Sequence, residues 1–413
     1  MNAPVGFDPV ADAFSKPLDR INVEDPALYR DDIWQPYFER LRRDDPVHFQ
    51  AESGIGPFWS VTRYKDIMQA ELSHGALSSE AGITLLDRPE ELKLPMFIAM
   101  DPPKHDDQRR VVQPIVAPAN LGKLQETIRT RVSDILDGLP RGETFDWVDR
   151  VSIELTTSML ATLFDFPWQD RRKLTFWSDC ATMNLNAGGY VDSEEKREEV
   201  FRECLGYFVN LWNQRVNAEP RADLVSMLAH GEATRNMSPR EYLGNLILLI
   251  VGGNDTTRNS ISGGVLFLNQ NPDEYAKLRA NPALVESMVP EIIRYQTPLA
   301  YMRRTALADF ELGGKTIPKG DKLAMWYISG NRDPDAIERP DAFVIDRARP
   351  RQHLSFGFGI HRCVGNRLAE LQLKIMWEEI LKRFPVIEVV GPATRIYSSF
   401  VHGIAHLPVR IPA

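Results

Sequence analysis

A long apolar helix with a polar break in its middle constrains this chain more than any other stretch. Ser238-Pro239-Arg240-Glu241 has the form of a capping box, with Ser at N-cap, Pro at N1 and Glu at N3. From there YLGNLILLIVGGNDTTRNSISGGVLFLNQ runs to Asn271-Pro272, where a helix is expected to stop. That is about 30 residues, or roughly 45 Å. Leu246 to Val251 is apolar on every side, so this part is expected to lie buried in the middle of the protein. The interruption by Gly252-Gly253-Asn254-Asp255-Thr256-Thr257 inside a buried helix demands a functional reason. At 413 residues the chain is long enough to bury a large core and a ligand cavity within it.

Around this helix the pattern is mostly helical. Residues 1–35 are rich in Pro and Asp and read as irregular, and 36–43 read as a helix. Residues 46–61 read as two short strands about the Gly54–Pro57 turn. Residues 76–99 carry no sustained period and read as a long functional loop. From about 104 to 297 the pattern is helical. Segments 303–312 and 322–328 read as strands, with Gly313-Gly314 turning into a short strand at 315–317. Residues 330–355 form a meander, a last helix covers 364–383, and short strands close the chain. The expected fold is mainly α with small β-sheets, as one domain over 1–413.

Composition removes several function classes. The formal net charge is −8, which argues against nucleic acid as a partner and mildly against anionic lipid. Three cysteines, Cys180, Cys204 and Cys363, stand far apart with no CxxC or Cys/His spacing, so neither a disulfide framework nor a structural zinc is expected. The first twenty residues show no basic and apolar leader, so no membrane anchor is expected and a cytoplasmic location is.

The densest motif is Phe356-Gly357-Phe358-Gly359-Ile360-His361-Arg362-Cys363-Val364-Gly365-Asn366-Arg367-Leu368-Ala369. A thiolate that ligates iron must stay deprotonated and shielded, and a flat macrocycle must come close to the backbone. Glycines at 357, 359 and 365 allow tight turns and close approach. Backbone N–H groups after the cysteine and the start of the next helix favour negative charge on sulfur, and Phe356 can cover it. A buried free cysteine beside a glycine-rich turn is one competing reading. A nucleophilic Cys–His pair is another, but His361 lies only two residues away on the same turn, a poor arrangement for it.

The whole string resembles the FGxGxHxCxGxxLA signature of cytochrome P-450 proteins at every fixed position. The resemblance extends further. Gly252-Gly253-Asn254-Asp255-Thr256-Thr257 stands where the family has an acid–alcohol pair in its long distal helix, and Glu291-Ile292-Ile293-Arg294 matches its ExxR helix. The resemblance implies the P-450 fold, with the long central helix over a buried haem b. It makes Cys363 the metal ligand, and Gly252 and Gly365 contributors to the cofactor site. It also implies a local helix opening, with Thr256 as the hydroxyl beside O2 and Asp255 as the proton-relaying carboxylate. His105, Arg109, Arg304 and His361 become the propionate partners. His105 and Arg109, at i and i+4, share one helical face. Two departures stand out. Pro290 precedes Glu291, which predicts a kink, and Ala342 stands where many relatives carry a third arginine, leaving Arg339 or Arg347 to substitute.

The implied activity is a monooxygenase that uses O2. No flavin or iron–sulfur motif occurs, so electrons are expected from a 2Fe–2S ferredoxin and a ferredoxin reductase. The runs LIVGGNDTTRNS and LSFGFGIHRCVGNRLAELQLKIMWEEIL resemble the soluble bacterial group that hydroxylates alkanes and fatty acids at the terminal methyl. Apolar residues expected to face a hydrophobic small-molecule substrate are Leu248, Leu249, Leu299, Tyr301, Met302, Phe400 and Val401. A steroid or terpenoid monooxygenase, a peroxide-driven haem enzyme and a haem-binding sensor are the alternatives. The last two do not need Asp255 and Thr256 together.

Overall fold

The computed structural model describes residues 7–413, so the first six residues of the expected leaderless terminus lie outside the description. The chain is mainly helical and divides into two compact units. Of the described residues, the first comprises 7–93, 290–363 and 394–405, and the second 94–289, 364–393 and 406–413.

The first unit is built on a five-stranded sheet. Its strands run in the order Val47–Gln50, Phe58–Val61, Lys322–Met325, Met302–Ala306 and Leu77–Ser78. The pairing of Phe58–Val61 with Lys322–Met325 is parallel and the other pairings are antiparallel. An aromatic core of Tyr29, Trp34, Phe38, Tyr301 and Trp326 packs beside it. Residues 9–15 and 26–30, expected as irregular, form short helices. Each has an Asp side chain accepting from the first turn and Pro at its start, a local cap strong enough to set one or two turns.

Segment 303–312 is two strands, not one. Leu307 to Asp309 turns outward, and the Asp309 carboxylate accepts from Lys319 N at 2.9 Å. Segment 322–328 likewise ends as a strand at Met325. Trp326 N donates to Val61 O at 3.0 Å, and Tyr327–Gly330 then turns as a helix. The Gly313-Gly314 turn is as expected, with both glycines at positive φ. The helix of the ExxR motif runs Val285–Gln296 through Pro290 without an interruption.

The second unit is an assembly of helices. Pro239–Gln270 is its longest, and the Ser238 side chain accepts from Glu241 N, while the Glu241 carboxylate takes Gln108 Nε2 and Lys104 Nζ as its partners. Two features of this helix differ from expectation. Its α-helical form is continuous through Gly252–Thr257, with no local opening. And Leu248, Leu249 and Val251 are half-exposed, although Leu246, Ile247 and Ile250 are buried. The apolar stretch therefore keeps one face uncovered. The closing helix Asn366–Arg383 packs on Pro118–Asp137, where Arg129 meets Glu378 at 2.7 Å and also pairs with Glu379.

Candidate active site

In the first unit the cysteine loop is fastened by a chain of buried polar contacts. Glu291 and Arg294 are fully buried and pair through two bonds, at 2.8 and 2.9 Å. Arg294 also donates to the carbonyls of Asn331, Pro340 and Ala342. Arg347 supplies the third partner, with Nε 3.0 Å and Nη2 3.2 Å from the Glu291 oxygens, while Arg339 offers only its carbonyl. Burial pushes the Glu291 carboxyl up, but Arg294 and Arg347 outweigh it and hold it below the usual range. Asn331 carries the order onward: its Oδ1 accepts from Leu354 N at 2.6 Å, and its Nδ2 donates to Thr297 Oγ1 and Ser355 Oγ.

The loop itself begins at that point. Gly357 N donates to Leu354 O, and Cys363 N to Phe356 O, both at 2.8 Å. Gly359 has φ +66°, and a Cβ there would sit 2.5 Å from Glu71 O, so only glycine fits. Glu71 is the residue that sequence reasoning missed. It is buried, accepts from Tyr327 Oη, pairs with Arg304 Nη2 at 2.8 Å and lies under the Phe358–Gly359 backbone. No local pattern marks a glutamate whose partner is 233 residues away. His361 Nε2 is 3.1 Å from Ser79 Oγ. Cys363 is exposed, whereas Cys180 and Cys204 are buried. Burial pushes the Cys180 thiol up to about 11 and Cys204 well above its ordinary value. Among the three thiols, only Cys363 has the accessibility a thiolate ligand requires, so the residues present fit a haem-thiolate centre.

In the second unit Asp255 is fully buried. It accepts from Ser178 Oγ at 3.0 Å, Thr182 Oγ1 at 3.1 Å, Asn254 Nδ2 at 2.9 Å and Arg258 Nη2 at 3.1 Å. Arg258 Nη2 also meets Asp179, 2.9 Å away. Burial and the neighbouring Asp255 charge raise the Asp179 carboxyl, with Arg258 opposing them. Thr256 Oγ1 donates to Gly252 O at 2.8 Å. Thr256 is half-exposed and Gly252 exposed on the same uncovered face as Leu248 and Leu249. A residue larger than Gly253 would strike Leu160, 2.7 Å from its Cβ. His105 is buried with Nδ1 2.7 Å from Asp106 Oδ1, and burial lowers its pKa against the pull of that carboxylate. Arg109, one turn on, is half-buried. Gly365 caps the closing helix at its start.

The expected substrate residues of the first unit differ in placement. Leu299, Met302 and Phe400 are half-buried. Tyr301 and Val401 are core residues: Tyr301 packs on Trp326 and Phe400 and accepts from Leu85 N at 3.1 Å, and Val401 bridges Leu299. Among the described residues no helix is long and apolar enough to cross a membrane, and no His/Cys/Asp/Glu cluster could hold a metal ion.

The sequence profile described as Cytochrome P450 matches residues 190–401. Linalool 8-monooxygenase of Pseudomonas putida is 35% identical over 95% of this chain and 99% of that protein. Methyl-branched lipid omega-hydroxylase of Mycobacterium tuberculosis is 30% identical over 92% and 91% of the two chains. The solved structure of CYP153D17 from Sphingomonas sp. PAMC 26605 superposes with a TM-score of 0.91 at 50% identity, covering 96% of this chain and all of that one. The fold and the cysteine loop define a haem-thiolate protein, and the chain belongs to the cytochrome P450 family. It is a monooxygenase whose cofactor is haem b held by a cysteine thiolate, with O2 as co-substrate.

Proposed function

We propose that this monooxygenase, acting as one domain over 1–413, hydroxylates medium-length linear chains at their terminal methyl, with Cys363 as the axial ligand. The observation that carries the ligand assignment is the contrast among the thiols: Cys363 is exposed on a loop fastened through Asn331 and Glu71, and the other two are buried with raised pKa values. The bound haem supplies O2 activation, aided by electron donation from the thiolate. In this reading Phe356 covers the sulfur, Gly252 and Gly365 allow close approach, and His105, Arg109, Arg304 and His361 hold the propionates. The Asp255 carboxylate receives protons and Thr256 Oγ1 passes them on. Reduced protein with carbon monoxide is expected to show the long-wavelength Soret band of thiolate ligation. Cys363→Ala is expected to lose it, while Cys180→Ala and Cys204→Ala keep it; the reverse outcome refutes the assignment.

Apolar Leu248, Leu249, Leu299, Met302 and Phe400 suit a hydrocarbon chain, which gains about 0.8 kcal/mol per buried methylene. The omega-hydroxylase relative also supports attack at a chain end. Terminal attack demands positioning as well as affinity, since inner methylenes oxidise more easily. The second reading, a terpenoid substrate, is favoured by the linalool relative. Products from dodecane, dodecanoate and linalool separate the two. Terminal alcohols are expected from the linear chains, and in-chain alcohols or turnover of linalool alone refute the first reading. Electrons come from separate redox proteins, for which we propose a 2Fe–2S ferredoxin and its reductase.

A further inference from the structure

Arg258 Nη2, in the second unit, stands between two carboxylates. It lies 3.1 Å from Asp255 Oδ1 and 2.9 Å from Asp179 Oδ1. Asp255 and Arg258 share a face of the Pro239–Gln270 helix at i and i+3, and Asp179 belongs to the Arg172–Thr182 helix that packs against it. The two acids differ in access: Asp255 is sealed from solvent, whereas 40% of the Asp179 side chain is exposed. Arg258 Nε is buried with no hydrogen-bond partner, so the two acids alone fix the guanidinium. Charged side chains on the helices around them are turned to partners of their own, Asp149 and Glu154 to Arg172, Lys173 to Glu203, and Arg197 to Glu194. Among the described residues Arg258 is the one cation that meets either acid, and two negative charges compete for it.

This sharing sets how readily Asp255 takes a proton. A cation in contact favours the ionised carboxylate, and a neighbouring negative charge disfavours it. Asp179 acts in the second sense twice, by drawing Arg258 off Asp255 and by adding its own charge. The Asp179 carboxyl shows the reciprocal effect, since burial and the Asp255 charge raise it against the pull of Arg258. Arg258 itself stays charged and hands on no proton. Monooxygenation consumes protons with its electrons: a C–H bond, O2, two electrons and two protons yield one hydroxyl group and one water. Asp255 therefore has to take up a proton and give it up again in every cycle.

We propose that Asp179 is a positioning residue for proton delivery: by holding Arg258 partly away from Asp255, it keeps the buried carboxylate able to take up protons. The inference rests on the reading of Asp255 above and extends it to a residue that touches no reacting atom. Without Asp179 the guanidinium closes on Asp255 alone, and a carboxylate neutralised in this way loses affinity for the proton.

The test follows turnover of the holoenzyme against pH, with NADH, ferredoxin and reductase in excess and whichever of dodecane, dodecanoate and linalool is hydroxylated. In Asp179→Asn the limb on which the rate falls with rising pH is expected to move down by about one pH unit, or about ten-fold in rate at a fixed pH on that limb. The solvent isotope effect is expected to grow, with substrate affinity and the carbon monoxide spectrum unchanged. With Arg258→Gln in place, the same Asp179→Asn step is expected to cost less than about three-fold, because its route is gone. An unmoved pH limb, or a ten-fold cost that persists without Arg258, overturns the proposal. If Arg258→Gln does not fold, Asp179→Glu decides: a return to within about three-fold of the wild-type rate is expected, and a rate as low as that of Asp179→Asn overturns it. Asp255→Asn is measured alongside. If it turns over as fast as wild type, the proton reading of Asp255 has itself failed, and the present inference falls with it.

Discussion

Arg347 closes the Glu291 carboxylate on the side that Arg294 leaves open. Its Nε and Nη2 lie 3.0 and 3.2 Å from the two oxygens, while Arg294 takes the same oxygens at 2.8 and 2.9 Å. The buried acid is thus shared between two guanidinium groups, one from its own helix and one from the meander. Arg294 passes the order to Asn331, and Asn331 passes it to the start of the cysteine loop.

Removing Arg347 therefore tests whether the meander holds the loop. Glu291 keeps Arg294 when Arg347 is removed, so the cost is that of lost hydrogen bonds to a charged group, about 1.5–3 kcal/mol, and not the larger cost of an uncompensated buried charge. Arg347→Met is expected to lower stability to denaturant by about that much and to raise the rate of haem loss. Glu291 adds a pH dependence of defined sign. Its carboxyl is held below the ordinary value, so its contribution is complete above the ordinary carboxylate range and disappears as pH falls through the folded value. A variant as stable as wild type, with unchanged haem retention, would show that Arg294 alone suffices.

Asp255 and Thr256 are expected to separate in a turnover experiment. Asp255 is fully buried and gripped by Ser178, Thr182, Asn254 and Arg258, which leaves it no contact with solvent. Asp255→Asn is expected to slow turnover about 10²-fold, the range typical of lost general acid–base help. Thr256→Ala is expected to keep substrate affinity and divert reducing equivalents to peroxide. Measuring NADH consumed, product formed and peroxide released checks both, and unchanged coupling in both variants contradicts the assignment.

What was legible in the sequence depended on how local its cause was. Ser238, three residues before Glu241, encodes its own cap, and Glu291 and Arg294 meet because i and i+3 share a helix face. The helices at 9–15 and 26–30 were legible too, in Asp8-Pro9 and Asp25-Pro26, but the abundance of Pro and Asp around them read as irregular. Two other features have no local cause. Glu71 acquires its role from Arg304 and Tyr327, more than 200 residues away, and the choice of Arg347 over Arg339 is made by how the meander folds. The uncovered face at Leu248 and Leu249 is a third case, since hydrophobicity alone cannot distinguish packing against protein from packing against a ligand.

Electron delivery is expected to depend on salt. Arg362 and Arg367 flank Cys363 in sequence and are both exposed, in a chain whose net charge is −8. Lys374 pairs with Glu286 at 2.7 Å. An acidic ferredoxin steered by exposed charge loses that help as the screening length falls, from about 10 Å at 0.1 M to about 3 Å at 1 M. The rate of reduction by the partner is expected to fall several-fold over that range, and Arg362→Gln with Arg367→Gln is expected to flatten the dependence. A rate independent of salt in wild type excludes electrostatic docking.

His402 gives the clearest pH prediction for stability. It is buried, with its ring edge toward Trp34 and Tyr29. Nδ1 lies 2.6 Å from Gln296 O, an acceptor only, so Nδ1 carries the proton, and Nε2 accepts from Arg395 Nη1 at 3.2 Å. Protonating Nε2 would set a cation against that guanidinium in a buried place. Burial lowers the His402 pKa, the Arg395 charge adds to it, and Asp32 opposes both. The unfolded chain, with an ordinary histidine near pH 6.5, therefore binds this proton first on acidification. Stability from His402 is complete above that value and is lost as pH falls below it toward the lower folded value. His402→Asn keeps a donor for Gln296 O and removes the titrating group. It is expected to lower Tm by a few degrees at pH 8, through lost packing, and to lose less further Tm than wild type between pH 7 and pH 5. Parallel Tm curves for the two proteins over that interval would show that acid destabilisation comes from elsewhere.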